Sequence, residues 1–259
     1  MVTYMTPTGR VHNLFVDMLK QSHLLIAGAS GSGKSVLVNG LIVTALYDSP
    51  FDIRGGKQLI LIDPKRTELA PYKNLPHTMY YASEPTRMVD ALHYALGITE
   101  QRYRYMEKSG LRMYNGSDVY VIIEELADLM TTNRRTVQPL IQRLCQIARA
   151  ARVHVWAITQ CPLVKVIPTE IKVNFDGIVA LRTRCAQDSR NIIGVSGAET
   201  LPRYGQCLYL TPDKLQVEKY IVPFVNETEQ NNMIQWWAKQ EQPTTEQKRK
   251  GFFDRLLAR

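Results

Sequence analysis

Cysteine is scarce: Cys145, Cys161, Cys185 and Cys207 are the only four in 259 residues, and no two form a Cys-x-x-Cys pair. That scatter excludes a zinc framework and a disulfide scaffold, and the thiols are expected to be free and buried. Long apolar runs are missing too. None approaches the roughly 20 residues that cross a bilayer, and the N-terminus lacks the apolar core of a secretory signal. These absences point to a cytoplasmic protein with no membrane span. Acidic residues are in deficit, 24 against 32 Lys and Arg, for a net charge of +8. A basic balance favours a polyanionic partner, either nucleic acid or an anionic membrane surface. Hydrophobic content of 45% is enough for one large α/β domain or two small ones with a substantial core.

The chain's strongest motif is Gly28-Ala29-Ser30-Gly31-Ser32-Gly33-Lys34-Ser35, which fits G-x-x-x-x-G-K-[ST]. The apolar run Leu24–Ala27 before it reads as a buried strand, and Val36–Val43 after it reads as a helix. Strand, glycine loop and helix together aim backbone N–H groups and a helix N-terminus at phosphate oxygens. ATP with Mg²⁺ is the expected ligand. Lys34 would reach the β- and γ-phosphates, and the Ser35 hydroxyl would coordinate the metal.

Further strands are expected at 58–62, 77–81, 119–123, 153–158, 178–181, 207–210 and 217–221. The opening segment, Tyr4 to Leu19, reads as an accessory strand or a short hairpin. A long helix is expected from a Ser83 N-cap, with Pro85 in its first turn, to Gly110, and another from about Val137 to Arg152. Strands alternating with helices argue an α/β fold, a mostly parallel central sheet with helices on both faces. From Asn226 the composition shifts to a helix through Lys239, a polar linker and a basic amphipathic tail from Lys248. The expected division is therefore residues 1–225 as the core unit and 226–259 as a C-terminal appendage. The tail could dock a partner protein or a membrane surface, or pack on its own domain or fray.

In nucleotide hydrolases of this kind a second strand ends in acidic groups beside the metal and the attacking water. Val119–Ile123 followed by Glu124-Glu125 is the candidate. Glu124 would hold the metal's water shell, and Glu125 would polarise the water as general base.

Taken together, the glycine loop, Asp63-Pro64-Lys65-Arg66-Thr67-Glu68-Leu69, Glu124–Met130, Ala148–His154, Ala157–Pro162, Asp188-Ser189-Arg190 and Gly205–Tyr209 resemble the motor domain of FtsK/SpoIIIE DNA translocases. The resemblance runs in the family's order from about Thr8 to Val225. It implies a RecA-like P-loop NTPase fold, a homo-hexameric ring around double-stranded DNA, and movement along that DNA driven by ATP hydrolysis. By position, it implies that Gln160 senses the γ-phosphate at a strand end and that Arg149 reaches a neighbouring subunit's ATP. It places Lys172 in a first DNA loop spanning 161–174 and Arg190 in a second spanning 185–190, with Arg182 and Arg184 adding positive charge nearby.

Three residues depart from the family pattern: Glu124 where the metal-side residue is an aspartate, Cys161 in an arginine position, and Ala186 in a lysine position. The extra methylene of Glu124 suggests slower hydrolysis. No membrane helices, accessory domain or winged helix accompany the motifs, so the expectation is a stand-alone motor serving transfer or segregation of a plasmid, phage or integrative element. Two alternatives stay open, a protein-secretion ATPase and a weakly hydrolysing, nucleotide-gated DNA-binding assembly factor.

Overall fold

The computed structural model describes residues 2–5, 11–14, 22–47, 56–160, 167–210, 216–222 and 225–239. The strands are β1 (Val2–Met5), β2 (Val11–Leu14), β3 (His23–Ala27), β4 (Gln58–Ile62), β5 (Thr78–Ala82), β6 (Val119–Ile123), β7 (Val153–Thr159), β8 (Gly177–Ala180), β9 (Gln206–Leu210) and β10 (Glu218–Ile221). The helices are α1 (Lys34–Tyr47), α2 (Pro85–Ser109), α3 (Leu126–Ile147), α4 (Thr169–Lys172), α5 (Ala186–Ile193) and α6 (Glu227–Ala238). β1 and β2 pair antiparallel, the hairpin alternative of the two expected for the opening segment, starting at Val2 and not Tyr4; residues 15–19 of that segment lie outside the described residues. The other eight strands form one sheet in the order β10-β9-β8-β3-β7-β6-β4-β5. From β8 to β5 every pairing is parallel; the β8–β9 and β9–β10 pairings are antiparallel, so β9 alone runs against the other seven strands.

The central strands are apolar along their whole length because both faces of the sheet are covered. Leu25, Ile60, Ile62, Val121, Ile123 and Val155 point into one core, which is closed by α2, α3 and α4. Their strand neighbours Leu24, Ile26, Leu59, Leu61, Ile122, Trp156 and Ile158 point the other way, under α1 and α6. The period of two along each strand thus splits one apolar run between two cores.

The two long helices differ from the sequence expectation at their ends. The N-cap of α2 is Glu84, not Ser83, with Pro85 at the first helical position and Gly110 closing the helix in a left-handed conformation. α3 starts at Leu126, directly after the paired glutamates, and ends at Ile147. It bends at Asn133 (φ −148°, ψ 51°), ahead of Pro139. Proline carries no N–H for the carbonyl four residues earlier, so the pattern weakens in the middle of the helix and hides its first half. Residues 148–152, expected as helix, form a turn in which Val153 N donates to Ala148 O at 3.0 Å and Arg152 takes φ +55°.

α6 starts with a reciprocal cap in which Glu229 N donates to Asn226 Oδ1 and Asn226 N to Glu229 Oε2. It lays the fully buried Trp237 into the α1 side of the core. Gln230 donates to the Tyr72 hydroxyl at 2.9 Å, and Tyr72 donates on to Asn39 of α1 at 3.0 Å. The polar linker and basic tail that follow lie outside the described residues, as does Cys161. Cys145 and Cys207 are buried as expected, whereas Cys185 is exposed.

Candidate nucleotide site

Parallel strands put all their C-terminal ends on one edge of the sheet, and four of those ends carry the site. The glycine loop follows β3, Asp63–Lys65 follow β4, Glu124 and Glu125 follow β6, and Gln160 follows β7. Strand pairing fixes their level: Ala27 faces Thr159 across β3 and β7, and Ile62 faces Ile123 across β4 and β6.

The loop itself is tight. A Cβ on Gly28 would stand 2.7 Å from Ser32 Oγ and 3.0 Å from Leu181 Cβ, so only glycine fits. Gly33, at φ +93°, turns the chain into α1 through a conformation that side chains disfavour. Ala29 N is tied to Arg182 O at 2.8 Å, which fastens the loop to the residue after β8. The Lys34 ammonium folds back on the loop and donates to Gly28 O at 2.9 Å and Ala29 O at 2.8 Å. Burial lowers its pKa, with Glu125 and Glu124 acting the other way.

Glu125 is the most constrained acid of the group. It takes a left-handed backbone conformation (φ 61°, ψ 71°) at the start of α3, which a non-glycine residue seldom adopts. Its Oε1 accepts the Thr159 hydroxyl at 3.0 Å and the Gln160 N–H at 3.1 Å, and Oε2 takes the Lys65 ammonium at 3.2 Å. Lys65 in turn is held by a loop wound around fully buried Asp63, which accepts N–H groups from Arg66 and Leu69. Burial alone would lower the Lys65 pKa, but Glu125 and Glu124 outweigh it and raise it. Sequence reasoning gave Lys65 no role and named Thr159 only together with Gln160, as the sensor at the strand end. Their position just after β4 and at the end of β7, on the edge that carries the glycine loop, was the available signal.

Glu124 contrasts with its neighbour. It is 6% exposed, and its Oε2 is buried with no hydrogen-bond partner. Burial pushes its carboxyl up to about 7, Lys65 opposes this, and Glu125 adds to it. It lines a small cleft with Ser35, Asn39 and Glu68. An orphaned carboxylate oxygen and a hydroxyl-bearing side chain on one cleft form a donor set that fits Mg²⁺ and its waters, because this ion is commonly held by few protein oxygens together with phosphates. Among the described residues no group of three or more His, Cys, Asp or Glu forms a metal cage by itself.

The remaining expected residues fall in three places. Arg182 and Arg184 line a cleft of about 350 Å³ together with Ser30, Gly31, Ser32 and Arg203, beside the glycine loop. Arg184 also pairs with Asp188 at 3.5 Å. Lys172 lies on α4 and donates to Asn191 O at 2.6 Å, while exposed Arg190 lies on α5. The stretch expected as a second DNA loop is thus largely the first turns of α5, tied to α4 through Lys172. Arg149 is exposed in the turn before β7, at the opposite edge of the sheet from its own glycine loop. The seven residues of β7 separate it from Gln160, about 23 Å at the usual rise per residue.

Residues 3–118 match the FtsK/SpoIIIE family model. The chain is 35% identical over 260 residues to the DNA translocase FtsK of Rickettsia prowazekii, covering 83% of this chain and 34% of that protein. The chain belongs to the FtsK/SpoIIIE family. The Campylobacter jejuni DNA translocase FtsK is 36% identical over 247 residues, covering 89% of this family member and 26% of the relative. The chain therefore spans about a third of the length of the curated relatives it matches. Among solved structures, the pCW3 conjugation coupling protein TcpA aligns at a TM-score of 0.77 with 21% identity, over 92% of this chain and 70% of that one. The Thermomonospora curvata type VII secretion ATPase EccC aligns at 0.74 with 19% identity, over 92% and 31%. Both share the P-loop ATPase fold of this FtsK/SpoIIIE member. Among its described residues no helix is long and apolar enough to cross a membrane.

Proposed function

We propose that this chain is the motor unit of an ATP-driven translocase of double-stranded DNA. The observation that carries the reading is the convergence of the glycine loop, Glu124, Glu125 and Gln160 on one sheet edge, in a chain 35% identical to a DNA translocase over 83% of its length. In this reading the loop N–H groups and the start of α1 bind the phosphates, and Lys34 exchanges the Gly28 and Ala29 carbonyls for phosphate oxygens. Ser35 and Glu124 would hold Mg²⁺, which when bound neutralises charge on the β- and γ-oxygens. Glu125 takes the proton of the attacking water, held in place by Thr159 and the Gln160 N–H. Through that N–H, loss of the γ-phosphate is relayed to the segment after β7.

Arg149 lies at the wrong edge of the sheet to serve its own site, which supports a role on a second copy in a ring, where a guanidinium stabilises charge developing in phosphoryl transfer. Lys172 and Arg190 on α4 and α5 are the proposed DNA contacts. Arg182 and Arg184, beside the glycine loop, have a competing use in anion binding there. Phosphate contacts of this kind are steeply salt-dependent and nearly blind to sequence. The finer reading is that the DNA moved belongs to a plasmid, phage or integrative element, and the likeness of fold to a conjugation coupling protein is what supports it.

The test is phosphate release with and without duplex DNA at low salt. Stimulation by duplex, absent in Lys34→Ala, supports the motor. Turnover indifferent to DNA with affinity for a secreted polypeptide would favour a secretion ATPase. Near-zero turnover with ATP and DNA binding intact would favour an assembly factor.

A further inference from the structure

A glycine loop binds phosphates, and nothing in it dictates how the base of a nucleotide is held. The segment that leads into β9 supplies an unexplained feature at that spot. Tyr204 is 58% exposed, more than any other described tyrosine, phenylalanine or tryptophan. Single exposed aromatic side chains are common, and what distinguishes Tyr204 is where it stands. This one stands at the lip of the loop, its Cδ1 3.9 Å from where a Cβ on Gly33 would lie, one residue before α1 begins. Its neighbour Arg203 points to the other part of the same loop, with Nη2 3.4 Å from the corresponding position on Gly31. The Arg203 guanidinium also lies 5.3 Å from the Tyr204 ring centroid, so one face of the ring has a cation near it.

The segment that presents these two residues is anchored on both sides. Leu201, 2% exposed, fixes it to the small core under α5, and Gly205 O accepts Val222 N at 3.0 Å where β9 begins. Gly205, at φ +81°, makes the turn between the exposed pair and the strand. Two consecutive side chains therefore bracket the glycine loop, a cation toward its middle and a flat ring toward the start of α1.

Resting on the nucleotide reading above, we propose that Tyr204 is the stacking platform for the purine of the bound nucleotide and that Arg203 contacts its phosphate chain. Stacking on a tyrosine face tolerates any purine, since every base offers a π-face, so the platform contributes affinity and not a choice between adenine and guanine. Arg203 joins Arg182 and Arg184 in the cleft beside Ser30 and Gly31, where the three guanidiniums outnumber the one acid, Glu199.

The experiment measures equilibrium binding of ATP, GTP and inorganic triphosphate to the full chain and to four variants. Tyr204→Ala is expected to weaken ATP and GTP alike by roughly tenfold and to leave triphosphate unchanged, because triphosphate has no base to stack. Tyr204→Phe should restore both nucleotides, and Arg203→Ala should weaken all three ligands. Unchanged ATP affinity in Tyr204→Ala, while Lys34→Ala abolishes binding, overturns the platform and leaves the nucleotide site standing. Equal loss of triphosphate in Tyr204→Ala also overturns it, since the ring would then act by shaping the loop. If the unaltered chain binds none of the three, the nucleotide reading and the platform fall together.

Discussion

Lys65 and Glu125, sixty residues apart in sequence, meet at 3.2 Å beside the glycine loop, and the same ammonium opposes the upward shift of the Glu124 carboxyl. Glu124 sits near 7 with Lys65 present, so its ionised form, the one that can hold a metal's waters, already titrates close to neutrality. Lys65→Met removes the stabilising cation and raises that pKa further. The expected result, read on the Glu124 carboxyl by NMR without nucleotide or Mg²⁺, is a titration displaced upward by roughly half a unit to one unit. An unshifted titration would show that Lys65 does not act on Glu124.

Glu125→Gln keeps the size of the side chain and the capacity to accept from Thr159 and Gln160 N–H. It removes the basicity and, with it, the charge that pairs with Lys65. ATP affinity should stay near that of the unaltered chain while single-turnover hydrolysis falls by at least about 100-fold. Loss of binding in parallel with rate would mean that the charge of Glu125 serves mainly to hold Lys65 and the loop around Asp63.

Arg149 and Lys34 occupy opposite edges of one protomer, so a shared site needs two copies. Arg149→Ala should lower turnover by on the order of 10³-fold, the usual scale for removing an arginine that acts in trans. Lys34→Ala should be inactive by itself. Mixing the two variants should restore measurable turnover, because an intact glycine loop on one copy then meets an intact arginine on the next. Mixtures no more active than the sum of the parts would place Arg149 outside the chemistry.

His23 gives a stability measurement that is independent of nucleotide. It is 1% exposed at the start of β3, and its Nδ1 accepts the Val155 N–H at 3.1 Å. Burial lowers its pKa from 6.5 to about 3, with repulsion from His154 and Arg149 adding to the effect. The unfolded chain therefore binds a proton here between pH 6.5 and about 3 that the folded chain does not. Stability is fully present above 6.5 and falls as the pH is lowered through this window, by at most about 1.4 kcal/mol per pH unit from this group. His23→Asn should flatten the denaturant-midpoint curve by that amount between pH 6 and 4. Superimposed curves would contradict it.

Much of this was legible in the chain because the signals were local. Gln58–Ile62 and Val119–Ile123 could be read to the residue, since each is a short apolar run fully inside a covered parallel sheet. The glycine loop was equally plain, because each of its residue types answers a steric or electrostatic need that can be stated without a structure. α3 was half lost because Asn133 and Pro139 interrupt the helical pattern, and its true start is set by the left-handed Glu125. The Lys65–Glu125 pair, the Thr159 hydroxyl on the same carboxylate and the place of Tyr204 beside Gly33 arise from strand order, β4-β6-β7-β3-β8. No spacing along the sequence encodes that order. The grouping of Arg182 and Arg184 with the glycine loop follows from the same fact, since β8 lies directly beside β3.

Displacement of a third DNA strand annealed at the far end of a long duplex reads movement itself. With ATP the chain should release the third strand after a lag that lengthens with the duplex to be travelled. Release should vanish in Lys34→Ala and weaken steeply as salt rises. Third-strand release that needs no hydrolysis, or ATP turnover without any release on duplexes of every length, would contradict the assignment of this chain as a motor on double-stranded DNA.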